Sequence, residues 1–449
     1  MTSPQRPGQP GDDASLTRQL VQHTRSKASS GDDLALAALF VLDAVANMLG
    51  GRNSDPGRLL LRWAGNGPLK PANPADTGAK ALLMGGLTHI LETDDLHRAS
   101  VVHPGCVVVP AAWALALREG AGGQDFLRAV LEGFEVTTRV GMGVGPAHYR
   151  IWHNTATCGP YGSAMAAATL LGLDEDQSVH ALGNAGSQSS GLWEFLDTGA
   201  MTKHLHAGHA AQAGVQSADL AALGFTGPPR ILEGDKGFFA AACPDADPGR
   251  VMSGADGPWQ LALTSMKPWP SCRHTHPAID AALELSETLT HVSPDELHSV
   301  TVETYRAAED VCDRPHAASD YEAKFSLQHC VATALENGEV TLASFSDEAR
   351  VKAQRLASGI VIKVIDPYAA AYPVDWGSAV EVTLTDGSVH RAERTHAKGD
   401  PEAPLLPPDV VRKSVDLMEY GGVASPQRLA EAILALPMSD SLPELPLFG

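Results

Sequence analysis

The run LALAALFVLDAV, Leu34 to Val45, decides the fold class. A surface helix confines its apolar residues to one stripe; this run is apolar nearly all round, as a helix in the middle of a large bundle should be. It lies within a longer helical segment, Asp32 to Leu49. Further along, Lys80 to Leu91, Cys106 to Leu117, Asp125 to Val140 and Gly162 to Leu171 are Ala/Leu-rich or apolar-periodic and are separated by Gly/Pro punctuation. The helical pattern therefore runs from about Leu16 to Gly224, where strands are hard to find. Gly141-Met142-Gly143-Val144-Gly145 has the look of part of a nucleotide loop, but it follows a helix-like segment rather than a strand and reads as a helix terminus.

The pattern changes after Lys267-Pro268-Trp269-Pro270. A helix-like run, Ala278 to Leu289, precedes an alternating strand signal at His298 to Tyr305, and a second helix follows at Tyr321 to Leu335. Further strands are expected at Ile360 to Ile365 and at Ala379 to Leu384. The latter is joined through Asp386-Gly387 to Val389-Glu393, a hairpin signature. The helical pattern returns from Pro408 to Leu436. The reading is a mainly α fold with an α+β part: a large all-helical domain over 16–266 and 401–449, a smaller α/β lid domain over 267–400, and a disordered tail over 1–15.

With 449 residues, two domains are a better expectation than one. The apolar fraction is dominated by alanine, leucine and valine, which suits close-packed helices. A formal net charge of -20 excludes a nucleic-acid-binding surface, for want of a clustered basic face, yet leaves room for a cationic pocket and an anionic substrate. The six cysteines, Cys106, Cys158, Cys243, Cys272, Cys312 and Cys330, form no CxxC pair, which fits a reducing cytosol and a cytoplasmic location. The N-terminus lacks an apolar signal core, and no later stretch reads as apolar for the length of a bilayer span, so no membrane partner is expected.

Four clusters carry chemistry. The first is Glu92-Thr93-Asp94-Asp95-Leu96-His97 with His103-Pro104-Gly105, where acids and imidazoles converge on a loop; Asp94 or Asp95 serves equally well as a helix cap. The second is Trp152-His153-Asn154-Thr155, in which a His beside a Trp also reads as structural. The third, Met201-Thr202-Lys203-His204-Leu205-His206-Ala207-Gly208-His209, holds three imidazoles. Helical geometry would not put them on one face, so no metal is expected, and a lysine among histidines better suits an anion site. The fourth is Lys267 to Pro277, where Lys267, Arg273 and His276 offer cationic and proton-transfer groups at the inferred domain junction, a favoured place for a small-molecule cleft. Cys272 lies among them with no sign of an activated thiolate; a linker with incidental charges is the bland alternative.

In this order and spacing, these clusters resemble the 2-methylcitrate dehydratase family, the MmgE/PrpD superfamily, which includes cis-aconitate decarboxylase and iminodisuccinate epimerase. The carrying segments are His89 to Asp95 with His103-Pro104, Trp152 to Thr155, Met201 to Gly208, Gly224 to Pro228, Lys267 to Cys272 and Ala323-Lys324-Phe325-Ser326. The resemblance implies a helical domain plus an α/β lid with the active site between them, a homodimer, and no metal or organic cofactor. It places His103, His153, Lys203 and Lys267 at functional positions and matches Glu92 to Asp95 to an Asp-rich loop. Leu96, Cys272 and His329 stand where the decarboxylase branch carries a threonine, a histidine and a tyrosine, and Trp269-Pro270-Ser271-Cys272 is similar to the epimerase branch.

The chemistry these branches share is proton movement at carbon next to a carboxylate, which needs cations around a dianionic intermediate. Catalytic roles are expected for His103, His153, Lys203, Lys267 and Asp94. Contacts to a small polycarboxylate substrate are expected from Glu92, Asp95, His206, Cys272, Arg273 and His276. Lys203 and Lys267, helped by Arg273, would hold carboxylates, and His103 and His153 would exchange protons. Dehydration is the first expectation, with decarboxylation or epimerisation as alternatives; a silent carboxylate-binding member of the family is the reading from another class.

Overall fold

The computed structural model describes residues 14–66, 76–293 and 296–448. They form two compact units, one from the described residues of Met1–Ile90, Asp94–Thr264 and Pro407–Gly449, the other from those of Leu91–Thr93 and Ser265–Leu406. The fold is mainly α, with a small mixed sheet confined to the second unit. Most of the tail expected over 1–15 lies outside the described residues. Ser15 departs from that expectation: it is the N-cap of the Leu16–Ser26 helix, its hydroxyl accepting from Arg18 N.

The first unit is helical throughout. Ser30 opens the Gly31–Gly51 helix with a capping box to Asp33, and the helix is then buried almost continuously from Ala37 to Gly51. In length and composition it is apolar enough to cross a bilayer, contrary to the sequence expectation, but most of it is buried inside the unit, as in a core helix. It packs against Thr77–Thr88, Gly105–Glu119, Gly123–Gly143 and Pro407–Tyr420, and Asn154–Leu170, Glu175–Gly186 and Thr202–Ala222 pack on one another and on the first two of these helices. Small residues let these helices approach backbone to backbone. A Cβ on Gly208 would strike the Leu82 carbonyl, and one on Gly162 would lie 2.5 Å from the Gly133 carbonyl.

Two boundaries differ from the sequence reading, and both matter to the site. The helix expected over Gly162–Leu171 begins at Asn154, continuing through Gly159 and Gly162, which are contact points against Ala210 and Gly133. The helix expected to reach Leu91 stops at Thr88, with His89 as its C-cap at φ -92°, ψ 8°. Glu92 follows at φ +62°, a left-handed conformation uncommon for a non-glycine residue.

In the second unit the strands are β1 (Leu297–Thr304), β2 (Ile360–Val364), β3 (Ser378–Leu384) and β4 (Val389–Arg394), in the order β2-β1-β3-β4. β1 runs parallel to β2 and antiparallel to β3, with Val300 opposite both Ile360 and Val382. Alternation puts Val300 and Val302 on the buried face. The β3–β4 turn uses Gly387 at φ +87°, with the Asp386 carboxylate accepting from Ser388 N. The helix His276–Thr288 packs against β3 and β4. The single helix expected over Tyr321–Leu335 is two, Asp320–Lys324 and Leu327–Asn337, because the Ser326 hydroxyl caps the second by accepting from His329 N at 3.0 Å.

Candidate active site

The first unit gathers ionisable side chains from four places. His89 stands at the end of the Thr77–Thr88 helix, and Asp94 and His103 lie on the loop leading to the Gly105–Glu119 helix. His153 precedes the Asn154–Leu170 helix, and Lys203 and His206 lie near the start of Thr202–Ala222. His89 Nδ1 is 2.6 Å from Asp94 Oδ2, with both side chains fully buried, and His103 Nδ1 is 3.3 Å from the same oxygen. The His89 ring meets the His103 ring edge-on at 4.8 Å and stacks on the His153 ring at 5.5 Å. Thr155 Oγ1 accepts from His103 N, and Asn154 Nδ2 donates to Ser100 O, so the start of one helix holds the loop that carries His103.

Burial and positive neighbours set the charges. Burial, followed by the charges of His89, Lys203, His206 and His103, pushes His153 well below the usual imidazole range. His206 is pushed down to about 4, chiefly by burial. Both rings are therefore neutral at pH 7. Their Nδ1 atoms lie 3.4 Å apart, so one ring donates while the other accepts. Trp193 packs 4.7 Å from His153 and closes one side of the ring. Lys203 is buried and lies i, i+3 from His206 on one helix face. A buried ammonium among neutral imidazoles provides both an anion-stabilising charge and proton acceptors.

The second unit holds two buried lysines on consecutive carbonyls. Lys267 Nζ donates to Glu92 O at 3.1 Å and lies 3.6 Å from Glu92 Oε2. Lys324 Nζ donates to Leu91 O at 3.2 Å. Lys267 thus grips Glu92 by backbone and carboxylate, which holds the left-handed residue in place. Beside them, Cys272 N donates to Lys324 O. The Cys272 thiol is held below its ordinary value, first by its hydrogen bond with Cys312 and also by the Lys267 charge, whereas burial pushes the Cys312 thiol well up.

Residues 18–250 match the MmgE/PrpD N-terminal domain, and residues 269–436 match the MmgE/PrpD C-terminal domain. The chain belongs to the MmgE/PrpD family. Among its relatives, the cis-aconitate decarboxylase-like protein oryM of Aspergillus oryzae is 26% identical over 82% of this chain and 81% of its own length. The cis-aconitate decarboxylase of Homo sapiens is 26% identical over 74% of this chain and 71% of its own. That of Mus musculus is 29% identical over 60% of this chain and 56% of its own.

In this MmgE/PrpD chain the predicted residues fall into three groups. Asp94, His103, His153, Lys203 and His206 converge in the first unit, and Lys267, Glu92 and Cys272 are neighbours in the second. The remaining three are engaged by partners of their own. Asp95 takes the capping alternative, both carboxylate oxygens accepting from Gly105 N at 3.0 and 3.1 Å. Its pKa is raised well above the usual range, first by burial and then by the Asp94 and Asp43 charges. Arg273, expected to meet substrate carboxylates, is paired at 2.5 Å with buried Asp400, which also accepts from Ser265 Oγ. His276 starts a helix, its Nε2 bonded to Ser271 O at 3.2 Å.

Two buried residues at these clusters had no predicted role, His89 and Lys324. Each stands inside a segment that carries the family resemblance, but the pairing of His89 with Asp94 is invisible if the helix is carried through to Leu91. His204, His206 and His209 do not form a ligand set. Among the described residues, the groups with three converging ligand atoms are His89, Asp94 and Cys106, and His396, Asp400 and Glu402. In the first, burial and the Asp94 and Asp95 charges push the Cys106 thiol well up, which makes it a poor metal ligand. In the second, Asp400 is already engaged by Arg273.

Proposed function

We propose that this chain is a lyase acting on a small polycarboxylate, by proton transfer at a carbon next to a carboxylate. The observation that carries this reading is the meeting of Asp94, His103, His153 and Lys203 in one buried cluster. Removing CO2 from a cis-aconitate-like acid breaks the bond to the departing carboxylate and shifts the double bond. A carbon next to a remaining carboxylate then takes a proton. Charge develops on that remaining carboxylate, where a buried ammonium such as Lys203 stabilises it. His103, next to Asp94, is suited to take up a proton from solvent on Nε2 and deliver it to that carbon, returning to the neutral ring, and neutral His153 offers an acceptor for the proton that leaves carbon in a dehydration.

Decarboxylation takes precedence over the dehydration expected from sequence, because relatives spanning most of the chain carry the name cis-aconitate decarboxylase. Dehydration draws on the same groups: a proton leaves carbon, hydroxide leaves its neighbour, and a protonated imidazole completes the water. The test is incubation of the purified protein with cis-aconitate, citrate, 2-methylcitrate and aminated dicarboxylates in deuterated water, followed by mass spectrometry. Loss of CO2 with one deuterium incorporated is expected from cis-aconitate. Loss of water from a hydroxy acid would put dehydration first, and deuterium exchange without other mass change would make the protein an epimerase. No change in any acid would overturn the lyase reading.

A further inference from the structure

The His89 imidazole is as buried as any group in the first unit's cluster, and the functional reading above gives it no task. Its Nδ1 makes the short contact with Asp94 Oδ2, its face stacks on His153 and its edge meets His103. Its Nε2 is buried with no hydrogen-bond partner among the described residues. An imidazole placed here only to fill space would be replaced at no chemical cost by an apolar ring, and it would not bond a carboxylate that a second histidine also approaches.

We propose that His89 is a positioning residue: by donating Nδ1–H to Asp94 Oδ2 it fixes that carboxylate against His103 and holds His103 in the Nδ1–H tautomer. A carboxylate oxygen only accepts, so a neutral ring next to it turns its N–H toward it. The proton of His103 then sits on the Asp94 side, and its Nε2 keeps the lone pair needed for proton exchange. The 2.6 Å contact of His89 is a hydrogen bond, whereas His103 Nδ1, 3.3 Å from the same oxygen, makes an ion-pair contact without hydrogen-bond geometry. The better-held partner sets where the carboxylate stands. The other ionisable groups around the carboxylate are Asp95 on its own loop, Cys106 on the following helix, His153 before the Asn154–Leu170 helix, and Lys203 on the Thr202–Ala222 helix.

The inference rests on the lyase reading only for its kinetic consequence, so the deciding measurement is independent of substrate. Ring nitrogens of 15N-histidine-labelled protein report tautomer and titration directly, with His89 and His103 assigned from the signals lost in His89→Asn and His103→Asn. Wild type should show both rings as Nδ1–H tautomers at neutral pH; an Nε2–H tautomer at His103 overturns the proposal without any further variant. In His89→Gln the side-chain amide no longer falls at the Nδ1 position. The His103 signal should then move to a mixture of tautomers with an altered titration midpoint. In His89→Asn the amide N–H stands where Nδ1 was, and the Nδ1–H state should be restored. If His103 is unchanged in folded His89→Gln, or changed equally in both variants, His89 is a packing residue and the proposal falls. With an active substrate in hand, His89→Gln should lose at least tenfold in kcat with little change in KM and a displaced pH profile, and His89→Asn should recover most of that loss. Absence of turnover in wild type would count against the lyase reading and leave the tautomer result standing.

Discussion

His89 and Asp94, five residues apart in sequence, close a 2.6 Å contact across the end of a helix, and both are fully buried. The contact exists because the helix stops at Thr88. An α-helix continued to Leu91 would carry the chain away along its axis at about 1.5 Å per residue. Leu91 and Glu92, between His89 and Asp94 in sequence, accept hydrogen bonds on their carbonyls from Lys324 and Lys267.

Asp94→Asn keeps the size of the side chain and removes the charge that His89 and His103 share. Turnover should fall by roughly 10²–10⁴-fold, the usual range for a disabled acid–base group. Circular dichroism should remain that of the wild type. Retention of more than half the wild-type kcat would show that Asp94 is not part of the proton-transfer machinery.

Lys203→Met removes one of the positive charges that make protonation of His153 unfavourable. With that neighbour gone, His153 takes a proton more readily, so its titration midpoint should rise while burial still keeps it below the ordinary imidazole value. NMR titration of the labelled histidines checks this. An unmoved His153 midpoint would mean that the two groups are not electrostatically linked in solution. Turnover should be abolished in the same variant.

Acid should destabilise the protein over a defined window. Burial lowers His97 and His206 to about 4 and His274 to about 3, and lowers His148, His153, His209 and His329 as well. Between the unfolded value of about 6.5 and these folded values the unfolded chain binds more protons, so stability is present above pH 6.5 and falls as pH drops toward 4. Asp95, Asp280 and Glu336 are raised and work in the opposite direction, but they are fewer. Thermal unfolding at pH 7.5, 6, 5 and 4 should show a falling midpoint, and a flat or rising series would contradict the assignment of these rings as neutral.

Arg273 and Asp400 form a buried ion pair at 2.5 Å, with side chains 6% and 2% exposed. Removing one partner leaves an uncompensated buried charge, at a cost of about 3–5 kcal/mol. Arg273→Met and Asp400→Asn should each lower the unfolding midpoint sharply, and the double variant should be less destabilised than the sum of the two. Should Arg273→Met instead unfold like the wild type while its KM rises, the arginine would be a substrate ligand, as first expected from sequence.

Much of the fold was legible because periodicity reports burial directly. The all-round apolar run at Leu34–Val45 is a core helix, and all four strands lie within a residue of their expected positions. One boundary shows where local reading stops. The helix from Asn154 is expected from sequence to start only at Gly162; glycine is unfavourable inside a helix, but here Gly159 and Gly162 meet Ala210 and Gly133, so packing outweighs propensity. The choice between Asp94 and Asp95 as cap or functional acid could not be made from sequence, since adjacent carboxylates differ only in what the folded chain puts beside them: Gly105 N for one, two imidazoles for the other.

By itself, then, the sequence determined the helical class, the strands, the family resemblance and the histidines and lysines worth attention, because composition, spacing and periodicity are local properties. Only the tertiary structure decided which of those side chains meet. It paired Asp95 with Gly105 N, Arg273 with Asp400 and His276 with Ser271 O, and brought His89 and Lys324 forward. It also set the charge states of His153 and His206, because burial and neighbouring charges act through space, where distance along the chain carries no information.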